Sequence, residues 1–222
     1  MPSFEKISKT QAANHAYDPF AYGVPAIDKA IGTPEPLAPL GIEGAFSRGL
    51  EEDLEMTEAL ALYVKPLGKR TSDATTFDLE TEVDKFLSSN KKVLLLLGEA
   101  GSGKSTFVRH LTRNLWEAHS SQDPLAPIPL FISLPTLRDP YQNLIQEYLK
   151  DECELSDAQI RELQKNREFI FILDGYDEIP QRTRFYDDNK FTKWRAKVIV
   201  TCRPGYLGVG YQNNFQPWDS GN

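Results

Sequence analysis

The 222-residue sequence has few cysteines, few histidines and no long hydrophobic run. Its two cysteines, Cys153 and Cys202, stand far apart and form no C-x-x-C pair, which excludes a disulfide-rich scaffold and predicts reduced thiols. The three histidines show no metal-ligand spacing. The longest aliphatic run has five residues, whereas a membrane-spanning helix needs about 20. We therefore expect no metal cluster of His and Cys, and no membrane partner.

Positive charge is also scarce, with 25 Lys and Arg against 32 Asp and Glu and a net charge of −7. Binding nucleic acid independently of its sequence requires a basic surface, so we expect no nucleic-acid partner. The N-terminal stretch MPSFEKISKT lacks the apolar segment of a secretory signal. Together with the reduced cysteines, this predicts a cytoplasmic protein.

The chain divides into three regions by composition. Residues 1–47 hold six of the 15 prolines and show no hydrophobic period, which predicts an extended or partly disordered arm. Residues 48–90 are rich in helix formers and predict a helical linker, with helices over 48–62 and 78–89. In residues 91–222, short apolar runs alternate with helical patterns, which predicts an α/β core with a parallel sheet covered on both faces.

A glycine-rich segment, GEAGSGKST, follows the most hydrophobic run, Val93–Leu97, and precedes an amphipathic helix. It fits the pattern G-x-x-x-x-G-K-[ST], in which main-chain N–H groups bind phosphate. We expect Lys104 to neutralise the β- and γ-phosphates and the Ser105 hydroxyl to bind Mg²⁺. We also expect Val93–Leu97 to be a strand buried on both faces. The candidate phosphate-binding residues are Gly98, Glu99, Ala100, Gly101, Ser102, Gly103, Lys104, Ser105 and Thr106.

Acidic and basic residues follow two later apolar runs. In FIFILDGYDE the carboxylate of Asp174 is expected at the carboxyl edge of the sheet, where it can hold Mg²⁺. Asp177 or Glu178 could orient or deprotonate a water that attacks the γ-phosphate. In VIVTCRP, Arg203 is expected on the same edge, where it could contact the γ-phosphate.

In this order and spacing, GEAGSGKST, FIFILDGYDEI and VIVTCRP resemble the NACHT branch of the STAND P-loop ATPases, over about residues 60–218. The stretches PLFISLPTLRDP and GYLGVGYQNNFQP are similar to NACHT modules of large fungal and protist-type repeat proteins. The resemblance implies a three-layer ASCE-type fold with a mostly parallel sheet of order 5-1-4-3-2. It also implies that the fifth strand is missing, so that the NACHT-type core in residues 91–222 is incomplete at its C-terminus.

The resemblance further implies a signal-transduction switch that binds ATP or ADP with Mg²⁺ and hydrolyses ATP slowly. Residues 98–106 would be the Walker A motif, residues 169–178 the Walker B motif and Arg203 the sensor arginine. Lys104, Asp177, Glu178 and Arg203 would act in catalysis, and Ser105 and Asp174 would hold the metal. From the segment LYVKPL, Tyr63 and Val64 would contact the adenine. Other protein chains would be partners, through self-association or a larger parent protein.

Two other functions use the same loop and stay open at this point. A small-molecule P-loop kinase has a similar length, although the acid pair Asp177–Glu178 favours water activation over transfer to another substrate. A scaffold that binds nucleotide without hydrolysing it is the other. A guanine-specific switch is disfavoured, because neither Asn-Lys pair continues as x-Asp: Asn189–Lys190 is followed by Phe-Thr and Asn90–Lys91 by Lys-Val.

Overall fold

A computed structural model describes residues 63–69, 76–122 and 126–217. The predicted arm over residues 1–47 and the predicted helix over 48–62 lie outside these residues. Within the described part of the chain, none of the helices combines the length and the apolar character that crossing a membrane requires.

The elements of the described residues alternate along the chain, as the core pattern predicts. Short 3-10 turns follow several of the strands, including Tyr176–Glu178 and Pro204–Tyr206. The strands and helices in chain order are β1 Leu67–Lys69, β2 Thr76–Asp78, α1 Leu79–Leu87, β3 Val93–Leu97, α2 Lys104–Gln122, β4 Ile128–Ser133, α3 Leu144–Asp151, α4 Asp157–Asn166, β5 Glu168–Asp174, α5 Phe185–Asp188 and β6 Arg195–Cys202.

The main sheet has four parallel strands in the order β3-β6-β5-β4, and β1 and β2 form a separate antiparallel pair. Numbered from the strand before the glycine loop, this order is 1-4-3-2, as the predicted topology requires. The register pairs Leu97 with Cys202 and Ser133 with Asp174. The carboxyl ends of these strands therefore lie along one edge of the sheet, where open α/β sheets bind their ligands.

The expectation that β3 is buried on both faces is wrong. Residues 93–96 are half-buried and Leu97 is 36% exposed, whereas β5 is buried from Phe169 to Asp174. The reason is position: β3 pairs with β6 on one side, and no described strand pairs with its other side. A continuous apolar run predicts the strand correctly but does not reveal whether the strand lies at the centre or at the edge of the sheet.

Each face of the sheet packs against a different set of apolar side chains. On one face, α1 and α2 contribute Val83, Phe86, Phe107, Val108 and Leu111, which pack against Phe131, Ile170, Ile172 and Ile199 of the strands. On the other face, the rings of Phe169 and Phe171 lie against Trp194, and Phe171 also contacts Phe191. This double cover explains why the central strands are apolar throughout instead of alternating.

Capping residues in the sequence indicate where two of the helices begin. Asp78 caps α1 by accepting a hydrogen bond from the Thr81 amide at 2.8 Å. The spacing of Ser156 and Gln159 in the sequence predicts a capping box, and both of its hydrogen bonds are present at the start of α4. The apolar spacing from Tyr141 to Leu149 predicts a helix over these residues. That prediction is wrong at its start, because α3 begins at Leu144. Asn143, directly before α3, has a left-handed backbone with φ of 52°. A right-handed α-helix cannot include such a residue, so the helix begins only after it.

Candidate functional site

A cavity of about 290 Å³ opens at the carboxyl edge of the main sheet. It brings together the glycine loop after β3, the acidic turn after β5 and the end of β6. The residues that line it are Ala100, Gly101, Ser102, Gly103, Lys104, Ser105, Thr106, Asp174, Gly175, Asp177, Glu178, Thr201 and Arg203. The sequence-predicted phosphate, magnesium and arginine residues therefore share one cavity. Gly98 and Glu99 are not among its lining residues, and they begin the loop.

The glycine loop has a backbone that its sequence makes possible. Gly101 and Gly103 have φ of 72° and 83°, a left-handed conformation that residues with a Cβ rarely adopt. Helix α2 begins directly afterwards at Lys104, so its first N–H groups lie at the cavity. These donors have no partner within the helix, and together with the helix dipole they favour an anion at this end.

The Lys104 ammonium lies over the loop. It donates hydrogen bonds to the carbonyl oxygens of Gly98 at 2.6 Å and of Glu99 at 3.0 Å. These contacts hold a positive charge beside the first turn of α2, within the cavity lining. The amine has three N–H donors, so the loop carbonyls leave one for an anionic ligand. Lys104 and the main-chain N–H groups of the loop thus place several hydrogen-bond donors at the same end of the cavity.

Asp174 ends β5 and is held by Thr201, which lies on the neighbouring strand β6 and is fully buried. The Thr201 hydroxyl donates to Oδ1 of Asp174 at 2.5 Å and accepts from the Gly175 amide at 2.9 Å. This arrangement fixes one oxygen of a carboxylate that is itself 7% exposed. Sequence reasoning missed Thr201. The available signal is a lone hydroxyl residue inside the apolar run VIVTC, two positions before Arg203.

We expect Thr201→Val to lower the free energy of unfolding by about 1–3 kcal/mol. The substitution keeps the shape, but it removes the donor to Asp174 and leaves the buried Gly175 N–H without its acceptor. Urea unfolding of the two proteins measures the difference. Thr201→Ser keeps the hydroxyl and is the matched control, which should retain most of the stability. A loss of stability in Thr201→Ser but not in Thr201→Val would show that the methyl group, not the hydroxyl, stabilises this position.

Asp177 and Glu178 follow Asp174 but have different surroundings. The Asp177 carboxylate accepts from the Arg203 backbone N–H at 2.9 Å and forms an ion pair with Arg203 Nε at 2.7 Å. Its side chain is 5% exposed, whereas that of Arg203 is 47% exposed. Glu178 is exposed and lines the cavity. The two neighbouring acids are therefore not equivalent, although the sequence offers no way to rank them.

The residues at the cavity fit Mg²⁺ better than a metal that needs a complete protein cage. The Ser105 hydroxyl and the Asp174 carboxylate line the same cavity and are hard oxygen donors. Within the part of the chain that the structure describes, no group of three or more His, Cys, Asp or Glu residues could hold a metal ion. Mg²⁺ usually takes one or two protein oxygens and completes its shell with water and phosphate oxygens.

Tyr63 and Val64 are not among the residues that line this cavity. Val64 is 82% exposed, and the ring of Tyr63 stacks on His110 of α2 with centroids 3.7 Å apart. Glu80 joins this cluster: it accepts from the Tyr63 hydroxyl at 3.2 Å and pairs with Lys65 at 2.6 Å. The segment before β1 is thereby attached to the helix that follows the glycine loop. The adenine role predicted for Tyr63 and Val64 stays a prediction.

The His110 side chain gives a testable pH dependence. Burial, together with the Arg113 charge, lowers the pKa of His110 below its ordinary value, although Glu80 and Glu117 act in the opposite direction. The unfolded chain therefore binds a proton more readily than the folded chain, and stability is lost as pH falls below about 6.5. We expect His110→Phe, which keeps a ring against Tyr63, to lose less stability than the wild type between pH 7.5 and 5.5.

Urea unfolding at the two pH values measures this difference, which one histidine limits to about 1.4 kcal/mol per pH unit. Titrating groups away from His110 are common to the two proteins and cancel in the comparison, whereas the response of Glu80 and Glu117 to the His110 charge is part of the measured difference. An equal or greater loss in His110→Phe would show that the folded state binds the histidine proton at least as well as the unfolded chain does.

Two features together define a P-loop NTPase. A glycine loop joins a strand to the following helix, and the carboxylate of another strand lies at the same edge of the parallel sheet. The strand order β3-β6-β5-β4 agrees with that class, and so does the cavity that the glycine loop and the acidic turn line together. The family model of the NACHT domain matches residues 92–207, more than half of the chain. The chain therefore belongs to the NACHT family and contains a nucleotide-binding P-loop NTPase module. A search of curated proteins found no match to it.

Proposed function

We propose that this chain is an ATP-dependent switch that binds ATP and ADP with Mg²⁺, hydrolyses ATP slowly and serves signal transduction in the cytoplasm. The observation that carries the proposal is the single cavity lined by Lys104, Asp174, Glu178 and Arg203. It combines cations for phosphate, a carboxylate for a metal ion and an exposed carboxylate for water. Each of these groups has a separate task in phosphoryl transfer to water.

Binding would begin at the glycine loop. The loop amides, the first turn of α2 and Lys104 would bind the β- and γ-phosphates. Ser105 and Asp174 would hold Mg²⁺, which would neutralise negative charge on the phosphates. The Thr201 hydroxyl supports this assignment because it already fixes one oxygen of Asp174. On the other side of the nucleotide, Tyr63 and Val64 are the proposed base contacts, by resemblance to the family.

Hydrolysis would depend on Glu178. Its exposed carboxylate at the cavity could accept a proton from a water that is positioned in line with the γ-phosphate. The Arg203 guanidinium would contact the γ-phosphate and stabilise the charge that develops on it. Because ADP lacks this phosphate, the contact would distinguish the two nucleotide states and allow the switch to favour a different conformation in each. Partners would be other protein chains, through self-association or a larger parent protein.

The test is a titration of the full chain with fluorescent ATP in Mg²⁺, followed by competition with ATP, ADP and GTP and an assay of phosphate release. We expect ATP and ADP to compete, GTP to compete poorly and phosphate to be released slowly. Binding without phosphate release would select the scaffold function. Phosphoryl transfer to a small alcohol or nucleoside, without release in water alone, would select the kinase function. Efficient competition by GTP would contradict the proposed base preference.

A further inference from the structure

Asp177 contacts Arg203 through both oxygens of its carboxylate. Oδ1 accepts from the Arg203 backbone N–H at 2.9 Å, and Oδ2 pairs with Nε of the same residue at 2.7 Å. One acid therefore holds both the backbone and the side chain of the arginine. Such a two-point contact restricts the position of the residue and the rotation of its side chain, which a single exposed ion pair does poorly.

The burial of the two partners is unequal. The Asp177 side chain is 5% exposed and the Arg203 side chain is 47% exposed. A guanidinium has five N–H groups. The ion pair with Asp177 lies at Nε, and none of the described residues accepts a hydrogen bond from Nη1 or Nη2, so these N–H groups are available at the cavity that Arg203 lines. A largely buried acid thus pairs with Arg203 at Nε, and the outer N–H groups of the guanidinium can contact a ligand in the cavity.

We propose that Asp177 is a positioning residue, which holds Arg203 in the orientation that distinguishes a nucleoside triphosphate from a diphosphate. This inference rests on the proposed function, and it separates Asp177 from Glu178, the proposed acceptor of the water proton. An arginine held at Nε and at its backbone has lost part of its rotamer freedom before the ligand arrives. The γ-phosphate contact then costs less conformational entropy than it would with a free side chain.

Removing the negative charge of Asp177 has two opposite effects on a triphosphate. It frees Arg203, which weakens the γ-phosphate contact, and it removes a like charge from the cavity, which strengthens binding of the more anionic ligand. The second effect does not require Arg203, whereas the first acts only through it. A double-mutant cycle with Arg203 therefore separates positioning from simple repulsion.

The experiment measures the dissociation constants of the β,γ-imido analogue of ATP and of ADP, both with Mg²⁺, on the full chain. The readout is the ratio of the two constants in the wild type, Asp177→Asn, Arg203→Met and the double variant. We expect Asp177→Asn to lower the preference for the triphosphate about tenfold, since fixing a long side chain costs on the order of one factor of ten. In the Arg203→Met background the same substitution should change the ratio less than about twofold.

Several outcomes would overturn the inference. A higher triphosphate preference in Asp177→Asn, in both backgrounds, would mean that repulsion dominates and that the acid positions nothing. An equal loss in both backgrounds would give Asp177 a role that does not pass through Arg203. An unchanged ratio in Arg203→Met would show that the arginine makes no γ-phosphate contact. In each case, the Lys104→Ala variant shows whether nucleotide binding itself still stands. Weaker binding in that variant would leave the proposed function intact, whereas unchanged binding would refute it.

A second variant covers the chance that Asp177→Asn does not fold, which its thermal melting curve would reveal. Arg203→Lys leaves Asp177 in place and keeps the positive charge. A lysine has one ammonium group instead of a planar guanidinium, so it cannot pair with Asp177 through one nitrogen and present two others to a phosphate. We expect it to lower the triphosphate preference to a similar extent. A wild-type ratio in Arg203→Lys would show that charge alone is sufficient, which contradicts the positioning role.

Discussion

Lys104→Ala should weaken ATP binding about 100-fold while the protein remains folded. The ammonium is the strongest localised positive charge in the glycine loop, and hydrogen bonds to charged groups are worth about 1.5–3 kcal/mol each. Losing about 3 kcal/mol from its contacts with the β- and γ-phosphates corresponds to a factor of about 100 in the dissociation constant. The measurement is a fluorescent ATP titration of both proteins at one Mg²⁺ and salt concentration.

The same substitution removes two hydrogen bonds within the protein, from Nζ to the carbonyl oxygens of Gly98 and Glu99. These carbonyls belong to the loop and can bond water instead, so we expect a small change in the melting temperature. Lys165→Ala is the matched control, since it removes an exposed lysine from helix α4. Equal ATP affinity in the wild type and Lys104→Ala would refute phosphate binding at this loop.

The effect of Lys104→Ala on affinity can also be compared between ATP and ADP. ADP retains the β-phosphate, so Lys104→Ala should weaken ADP as well as ATP. Arg203 substitutions, in contrast, should weaken ATP selectively, because the proposed contact is with the γ-phosphate alone. The two residues therefore predict different patterns across the same pair of ligands, and the patterns can be read without measuring hydrolysis.

Much of the fold could be predicted because its signals are local. Continuous apolar runs predict the central strands, and the capping box at Ser156 predicts the start of α4. The glycine spacing predicts a loop with left-handed positions at Gly101 and Gly103. The order of the four parallel strands followed from the resemblance and not from the residues themselves. Local patterns state what an element is, and they do not state which element lies beside it.

The parts that sequence reasoning missed depend on contacts between distant residues. The half-burial of β3 depends on its place at the edge of the described sheet, which the apolar run does not show and which only the family strand order with a missing fifth strand implies. Thr201 and Asp174 are 27 positions apart, and only the parallel pairing of neighbouring strands brings the hydroxyl to the carboxylate. Asp177 and Glu178 are adjacent in sequence, yet one is held by Arg203 and the other is exposed. A motif can name a set of acids, but packing decides which of them is paired and which can act on a ligand.

Glu178→Gln should reduce phosphate release about 100- to 10,000-fold, the contribution typical of a positioned general base. The amide keeps the size of the carboxylate but cannot accept a proton from the attacking water. ATP affinity should stay within about threefold of the wild type, because the loop, Lys104 and the metal-binding oxygens are unchanged. Single-turnover assays of phosphate release, with the enzyme in excess over ATP, measure the chemical step separately from product release.

Glu162→Gln is the matched control for this substitution, since it changes an exposed glutamate on α4 and should leave phosphate release unchanged. The comparison with Asp177→Asn is the more informative one. If Asp177 acts by positioning Arg203, its substitution should alter the preference for triphosphate and lower the rate less than Glu178→Gln does. If phosphate release survives in Glu178→Gln and is lost in Asp177→Asn, the base is Asp177, and the ion pair with Arg203 must open before water is activated. The exposed carboxylate would then serve another purpose at the cavity.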